Sequence, residues 1–231
     1  MTGFTDIHSH FVYGVDDGAK TRADMEAMLG AAYADGVTSL FATSHMTPGI
    51  SPFDFLTYRK HLDEAQSYCQ WKGYAMTLYP GAEVMYTPAL QHYAVDHRLP
   101  TLANSDYVLM EFVPDISFRE LEAALDLMER YAYVPVLAHI ERYACLFRGN
   151  VVARLKSRHD VRCQVNANTV LKEQGFFRAR RIQSWFQEGL VDFVASDAHD
   201  VKRRPFQMQK VYAALKKKYG QSEADRLTGM Q

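Results

Sequence analysis

Short apolar runs of strand length alternate with stretches of helical periodicity from one end of this chain to the other, and few folds tolerate that alternation. Strand-like runs fall at 4–8, 37–43, 75–80, 107–112, 134–138, 161–165 and 191–195. Between them apolar residues recur at three-to-four spacing, as in Met25, Met28, Leu29 and Ala32, and again in Phe55, Tyr58, Leu62, Ala65 and Cys69. Ser117 and Glu120 stand in the Ser-x-x-Glu relation of a capping box ahead of Leu121, Leu125 and Met128, while Gly36 and Gly189 fall where helices should stop. No linker, repeat or low-complexity stretch interrupts the 231 residues, so one α/β domain spanning 1–231 is expected. The preferred architecture is a distorted (β/α)7 barrel of the TIM-like kind, with an open doubly wound sheet as its rival.

What favours the barrel is where the ionisable residues fall. His8 and His10 follow the first strand, His45 the second and Glu83 the third; Glu111 ends the fourth, His139 follows the fifth, and Asp197 and His199 follow the seventh. In a βα barrel all C-terminal strand ends meet at one rim, which is where active sites are built. The pair His8 and His10 is two apart, so one strand end can turn both toward one ion. By contrast, His61, His92, His97 and His159 fall in helical or loop stretches and read as ordinary surface or packing histidines.

Bulk electrostatics point to no polymer partner. A net charge of −1 and a pI near 6.8 provide neither a track for a nucleic-acid backbone nor a docking surface for an anionic membrane. No apolar run approaches the roughly 18 residues of a membrane helix. Cys69, Cys145 and Cys163 are odd in number and widely spaced, and no basic-then-apolar leader precedes the first motif, which together suit a reducing cytoplasm.

The stretches Asp6-Ile7-His8-Ser9-His10, Val15-Asp16-Asp17-Gly18-Ala19, Ala42-Thr43-Ser44-His45, Pro80-Gly81-Ala82-Glu83, His139-Ile140-Glu141-Arg142-Tyr143 and Ser196-Asp197-Ala198-His199 span nearly the whole chain. This set resembles the PHP (polymerase and histidinol phosphatase) superfamily, and within it the bacterial protein-tyrosine phosphatase branch of the CpsB/YwqE type. The resemblance implies a trinuclear centre: His8, His10, Glu83 and Asp197 on one ion, Glu83 bridging to a second completed by Glu111 and His139, and Asp17, His45 and His199 on a third. It puts Asp17 rather than its neighbour Asp16 inward; on chemistry alone either aspartate serves. Independently, mixed imidazole and carboxylate donors without thiolate suit Mn, Fe or Zn without choosing among them; with the resemblance, Mn is the expected metal. Asp6 is expected to orient a ligand from behind.

Three divalent ions outweigh the carboxylates Asp17, Glu83, Glu111 and Asp197, so such a centre stays net positive and favours a phosphomonoester dianion. Arg142 and Arg204 match arginines of the same branch and are expected to clamp phosphate oxygens; Arg203 is the rival for Arg204, which precedes Pro205. The expected reaction is metal-assisted hydrolysis with no covalent phosphoenzyme. No cysteine has an arginine six positions on, so a thiolate route is not supported.

By resemblance, the substrate is phosphotyrosine in a protein: the C-terminal tail of a bacterial tyrosine kinase controlling capsule and exopolysaccharide export. A small-molecule phosphatase acting on histidinol phosphate would share every ligand, and a non-catalytic regulatory module would be marked by lost ligands, none of which is missing. Phe11, Tyr13, Phe53 and Phe112 are candidates to wall a slot for the phosphotyrosyl ring, and Lys216-Lys217-Lys218 reads as a solvated helix end.

Overall fold

The structure, a computed structural model, describes residues 3–51, 53–172 and 174–230. Its strands are β1 (Phe4–Ser9), β2 (Val37–Ala42), β3 (His45–Met46), β4 (Thr77–Pro80), β5 (Glu83–Met85), β6 (Tyr107–Glu111), β7 (Val134–Leu137), β8 (Arg162–Asn166) and β9 (Phe193–Ala195). Its helices are α1 (Arg22–Ala34), α2 (Phe55–Lys72), α3 (Leu90–Val95), α4 (Phe118–Arg130), α5 (Val151–Arg158), α6 (Ala167–Leu171), α7 (Phe176–Gln187), α8 (Met208–Tyr219) and α9 (Gln221–Thr228).

All ladder pairings of the described strands are parallel, in the orders β1-β2-β4 and β3-β5-β6-β7-β8-β9. The two sheets are one wall, because β2 runs on into β3 and β4 into β5 after two-residue interruptions. Nine segments therefore occupy the seven expected strand positions. At the interruptions the ladder gives way to single bonds: the Glu83 N–H donates to the carbonyls of Thr43 and Ser44 at 3.2 and 3.1 Å. The first strand meets the last through a parallel bridge between Ser9 and Ala198 and the bond from Asp197 N to His8 O at 2.9 Å. A bridge is less than a ladder, so the barrel is only partly closed.

Local signals explain the helices. Thr21 with Asp24, and Ser117 with Glu120, form reciprocal capping boxes on α1 and α4. Met25, Met28, Leu29 and Ala32 are buried, as are Tyr58, Ala65 and Cys69, but Phe55 at the start of α2 stays exposed. Gly36 and Gly189 follow helix ends with positive φ. Ile7, Leu109, Val136 and Ala195 come from strands that are not all neighbours yet form one cluster with Leu102 and Ala138, which fills the barrel interior. Since alternate residues share a face, Leu109 inside the barrel carries Glu111 inside at the top of the same strand. No helix among the described residues is long and apolar enough to cross a membrane.

Candidate metal centre

The structure brings all nine sequence-chosen donors together at the C-terminal side of the barrel, with His45 and Glu83 at the strand interruptions and Asp17 on the loop after β1. His8 Nε2 lies 3.1 Å from Glu83 Oε2 and 3.4 Å from Asp197 Oδ1, and His10 Nε2 lies 3.3 and 3.5 Å from the same two atoms. His139 Nε2 is 2.7 Å from Glu83 Oε1 and 3.5 Å from Glu111 Oε1. Asp17 Oδ1 stands 3.3 Å from both His45 Nε2 and His199 Nε2, while His45 Nδ1 turns back to Glu83 Oε2 at 3.2 Å. Donor atoms close enough to share an ion occur in the sets His8–His10–Glu83–Asp197, His10–Asp17–His45–His199 and His45–Glu83–Glu111. His8, His10, Glu83, His139 and Asp197 are buried, whereas Asp17 and His45 open to solvent and mark the mouth.

Hydrogen bonds behind the rings settle which nitrogen faces inward. Asp16 Oδ2 accepts from His10 Nδ1 at 2.8 Å and the Asp197 carbonyl accepts from His199 Nδ1 at 3.0 Å. Both partners only accept, so each ring keeps its proton outside and offers an Nε2 lone pair inside. His199 Nε2 and Asp197 Oδ1 are buried with no hydrogen-bond partner. Imidazole nitrogens converging on the unpartnered Oδ1 of Asp197 suit a cation. The two adjacent aspartates divide the work: Asp17 enters the donor set, while Asp16 holds His10 and accepts from the His45 N–H at 3.0 Å. Asp6 orients backbone rather than a ring, since its Oδ1 accepts from the amides of His8 and Ser196 at 3.3 and 3.0 Å.

Electrostatics agree. Burial opposes ionisation of Glu83 and Asp197, yet the neighbouring imidazoles hold both carboxyls well below their usual range. Burial likewise opposes charge on His8 and His10, and the carboxylates, Glu83 and Asp197 at His8 and Asp16 foremost at His10, outweigh it and raise both rings. Burial and the charge of His10 push His199 down to about 4, which keeps it a neutral donor. Burial and the charge of Glu83 raise Glu111.

Backbone strain accompanies the site. His139 has φ +31° and Asp197 φ +53°, in the left-handed region that costs a non-glycine residue about 1–3 kcal/mol. Gly18 is required by close approach: a Cβ there would sit 2.0 Å from the His10 carbonyl oxygen, so only glycine lets the loop bearing Asp16 and Asp17 lie on the strand end.

Both arginines reach Asp197. Its Oδ2 accepts from Arg142 Nη2 at 2.9 Å and is ion-paired with Arg204 Nη2 at 2.5 Å, and Arg203 makes no such contact. Arg142 and Arg204 are 42% and 33% exposed, and Arg142 Nη1 also stands 3.9 Å from Glu111 Oε1. Of the aromatic slot, Phe11 and Phe112 are removed: both rings are buried in the core, and only Tyr13 and Phe53 remain partly accessible. Lys216, Lys217 and Lys218 are exposed at the end of α8. A separate surface group of Asp126, Glu129 and His159 is a cap, in which Glu129 accepts from Asp160 N and His159 Nδ1.

Sequence reasoning missed Gln164 and Asn166 on β8. Their only signal was the two-residue spacing of amides at the end of the one strand that offered no metal-binding side chain to the rim.

A parallel βα barrel with imidazoles and carboxylates gathered at its C-terminal strand ends is the framework of a metal-dependent hydrolase. The family described as capsular polysaccharide synthesis, CpsB/CapC, matches residues 4–230, and the chain belongs to it. The tyrosine-protein phosphatase CpsB of Streptococcus pneumoniae is 34% identical over 96% of this chain and 93% of that protein. The tyrosine-protein phosphatase YwqE of Bacillus subtilis is 27% identical over 93% and 85%. A solved structure from work on YwqE and CpsB as unique metal-dependent tyrosine phosphatases superposes with a TM-score of 0.85 at 27% identity, covering 97% of this chain and 91% of that one. Histidinol phosphate phosphatase of Lactococcus lactis, with a TM-score of 0.60 at 15% identity over 92% and 93%, shares the fold.

Proposed function

We infer that this chain is a metal-dependent phosphomonoester hydrolase that removes phosphate from phosphotyrosine in proteins. The observation that carries the reading is the meeting of Arg142 and Arg204 on one oxygen of Asp197, whose other oxygen faces the imidazoles and Glu83. His8, His10, Glu83 and Asp197 would hold one divalent ion, Glu83, Glu111 and His139 a second, and Asp17, His45 and His199 a third, with manganese the preferred metal. Divalent ions in such a donor set act as Lewis acids on phosphoryl oxygens and on water.

The protein's own groups do the rest. Each guanidinium spends a donor on Asp197 and presents others to the mouth, where forked N–H groups bind and neutralise the equatorial phosphate oxygens as charge builds on them. Asp16 and the Asp197 carbonyl keep His10 and His199 turned inward through the reaction. Burial pushes the Cys69 thiol up to about 11 and the Cys163 thiol up to about 12, so neither provides a thiolate nucleophile. An aryloxide leaves readily, so the reaction does not depend on a strong general acid. The proposed physiological substrate is the tail of a bacterial tyrosine kinase of capsule or exopolysaccharide synthesis, met in the cytoplasm, where three unpaired thiols persist.

The test is phosphate release by manganese-reconstituted protein from a phosphotyrosine peptide and from histidinol phosphate at matched concentrations, with chelator controls. Preference for the peptide supports this reading; preference for histidinol phosphate replaces it with small-molecule metabolism on the same fold.

A further inference from the structure

Two neutral amides stand where β8 reaches the mouth. Gln164 and Asn166 are buried, two apart and on one face of the strand. Gln164 Nε2 donates to Asn166 Oδ1 at 2.8 Å, and Asn166 Nδ2 donates to Asp197 Oδ2 at 2.7 Å. At the other end Gln164 Oε1 accepts from the His139 backbone N–H at 2.7 Å and faces His8 Nδ1 at 3.3 Å.

The direction of every bond in this relay is dictated by its two ends. A carboxylate only accepts and a backbone N–H only donates. Asn166 must therefore turn its NH2 to Asp197, Gln164 must turn its NH2 to Asn166, and the Gln164 oxygen is left for His139 and His8. With an acceptor behind it, the His8 ring carries its proton on Nδ1 and directs its Nε2 lone pair at Glu83 and Asp197.

We propose that Gln164 and Asn166 are positioning residues that fix the His8 tautomer and turn Asp197 Oδ1 inward, so that a single hydrogen-bonded relay aligns two ligands of one ion. The proposal rests on the reading that His8 and Asp197 hold a metal. The choice of amides has a physical reason. A carboxylate behind His8, like Asp16 behind His10, would add negative charge to a buried cluster that already contains Glu83 and Asp197. An amide orients without charging. The same Gln164 oxygen also holds the His139 amide, whose residue has the left-handed φ of +31°.

The experiment compares zinc affinity and ring-15N histidine NMR spectra of the zinc-loaded protein for the parent, Gln164→Leu and Gln164→Glu. Loss of the amide in Gln164→Leu is expected to weaken zinc binding about 10- to 100-fold. The His8 Nδ1–H signal should vanish into exchange with water while that of His10, held by Asp16, stays. Gln164→Glu keeps an acceptor behind His8 and should restore that signal, which a mere packing role would not do. Gln164→Leu binding zinc as tightly as the parent, with His8 Nδ1–H still protected, overturns the proposal. If Gln164→Leu does not fold, a His8 proton on Nε2 in Gln164→Glu overturns it equally. A parent protein that takes up no zinc instead removes the metal reading itself, and this inference with it.

Discussion

His8 and His10 face each other nitrogen to nitrogen, Nε2 to Nε2, at 3.2 Å in the barrel mouth. Two lone pairs at that separation repel unless positive charge lies between or beside them, and Glu83 and Asp197 add negative oxygens to the same volume. A cation held there binds the folded chain and not the unfolded one, so it stabilises the fold beyond the pairing of the imidazoles with Glu83 and Asp197. Chelation should therefore abolish turnover and also lower the melting temperature, and readdition of metal should restore both. At a free metal concentration a hundred times Kd the expected gain is about 2.7 kcal/mol. A melting temperature unchanged by chelator would refute the assignment.

Asp16 and Asp17 should separate cleanly. Asp17→Ala removes a donor from the exposed end and should lower metal content at that end only. Asp16→Ala frees the His10 ring, which borders two donor sets, and should weaken binding more broadly, by about 10- to 100-fold. Metal analysis of both proteins checks this.

Arg142→Ala and Arg204→Ala should each lower kcat by about 100- to 1,000-fold, as loss of one preorganised donor does elsewhere, with metal content kept. Because both arginines share Asp197 Oδ2, the double variant should lose less than the product of the single losses. Equal loss of metal and rate would make them structural.

Gly18→Ala should destabilise the protein by about 1–3 kcal/mol, since the added methyl overlaps the His10 carbonyl oxygen and the loop must shift. Thermal unfolding measures this, and metal analysis should show loss centred on Asp17.

Alkylation of accessible thiols should leave turnover intact, because Cys69 and Cys163 are buried and burial raises all three thiols. Inactivation that follows modification of Cys145 would contradict the hydrolytic mechanism.

The barrel was legible because parallel strands buried on both faces read as apolar runs, and because ligand residue types recur at their ends. The breaks between β2 and β3 and between β4 and β5 were not, since a two-residue strand such as His45–Met46 leaves no periodic trace. Neighbouring a ligand does not say which way a ring turns: Phe11 follows His10 and Phe112 follows Glu111, yet both rings point into the core. Gln164 and Asn166 escaped for a different reason. Neutral amides are not ligand types, and their role exists only through His8 and Asp197, far away along the chain. The pinning of Arg142 and Arg204 on Asp197 is invisible for the same reason.

The bond from Ser196 N to Asp6 Oδ1 spans 190 residues, and the bridge from Ser9 to Ala198 is nearly as long-ranged. Translation delivers these partners far apart in time. A ribosome that has released the chain through Glu111 has exposed six of the nine donors, and the nascent protein still lacks the strand that orients His8 and the aspartate that faces it. Contacts of such separation form late. The site thus assembles only after His139, Asp197 and His199 have joined the six donors that precede them in the chain.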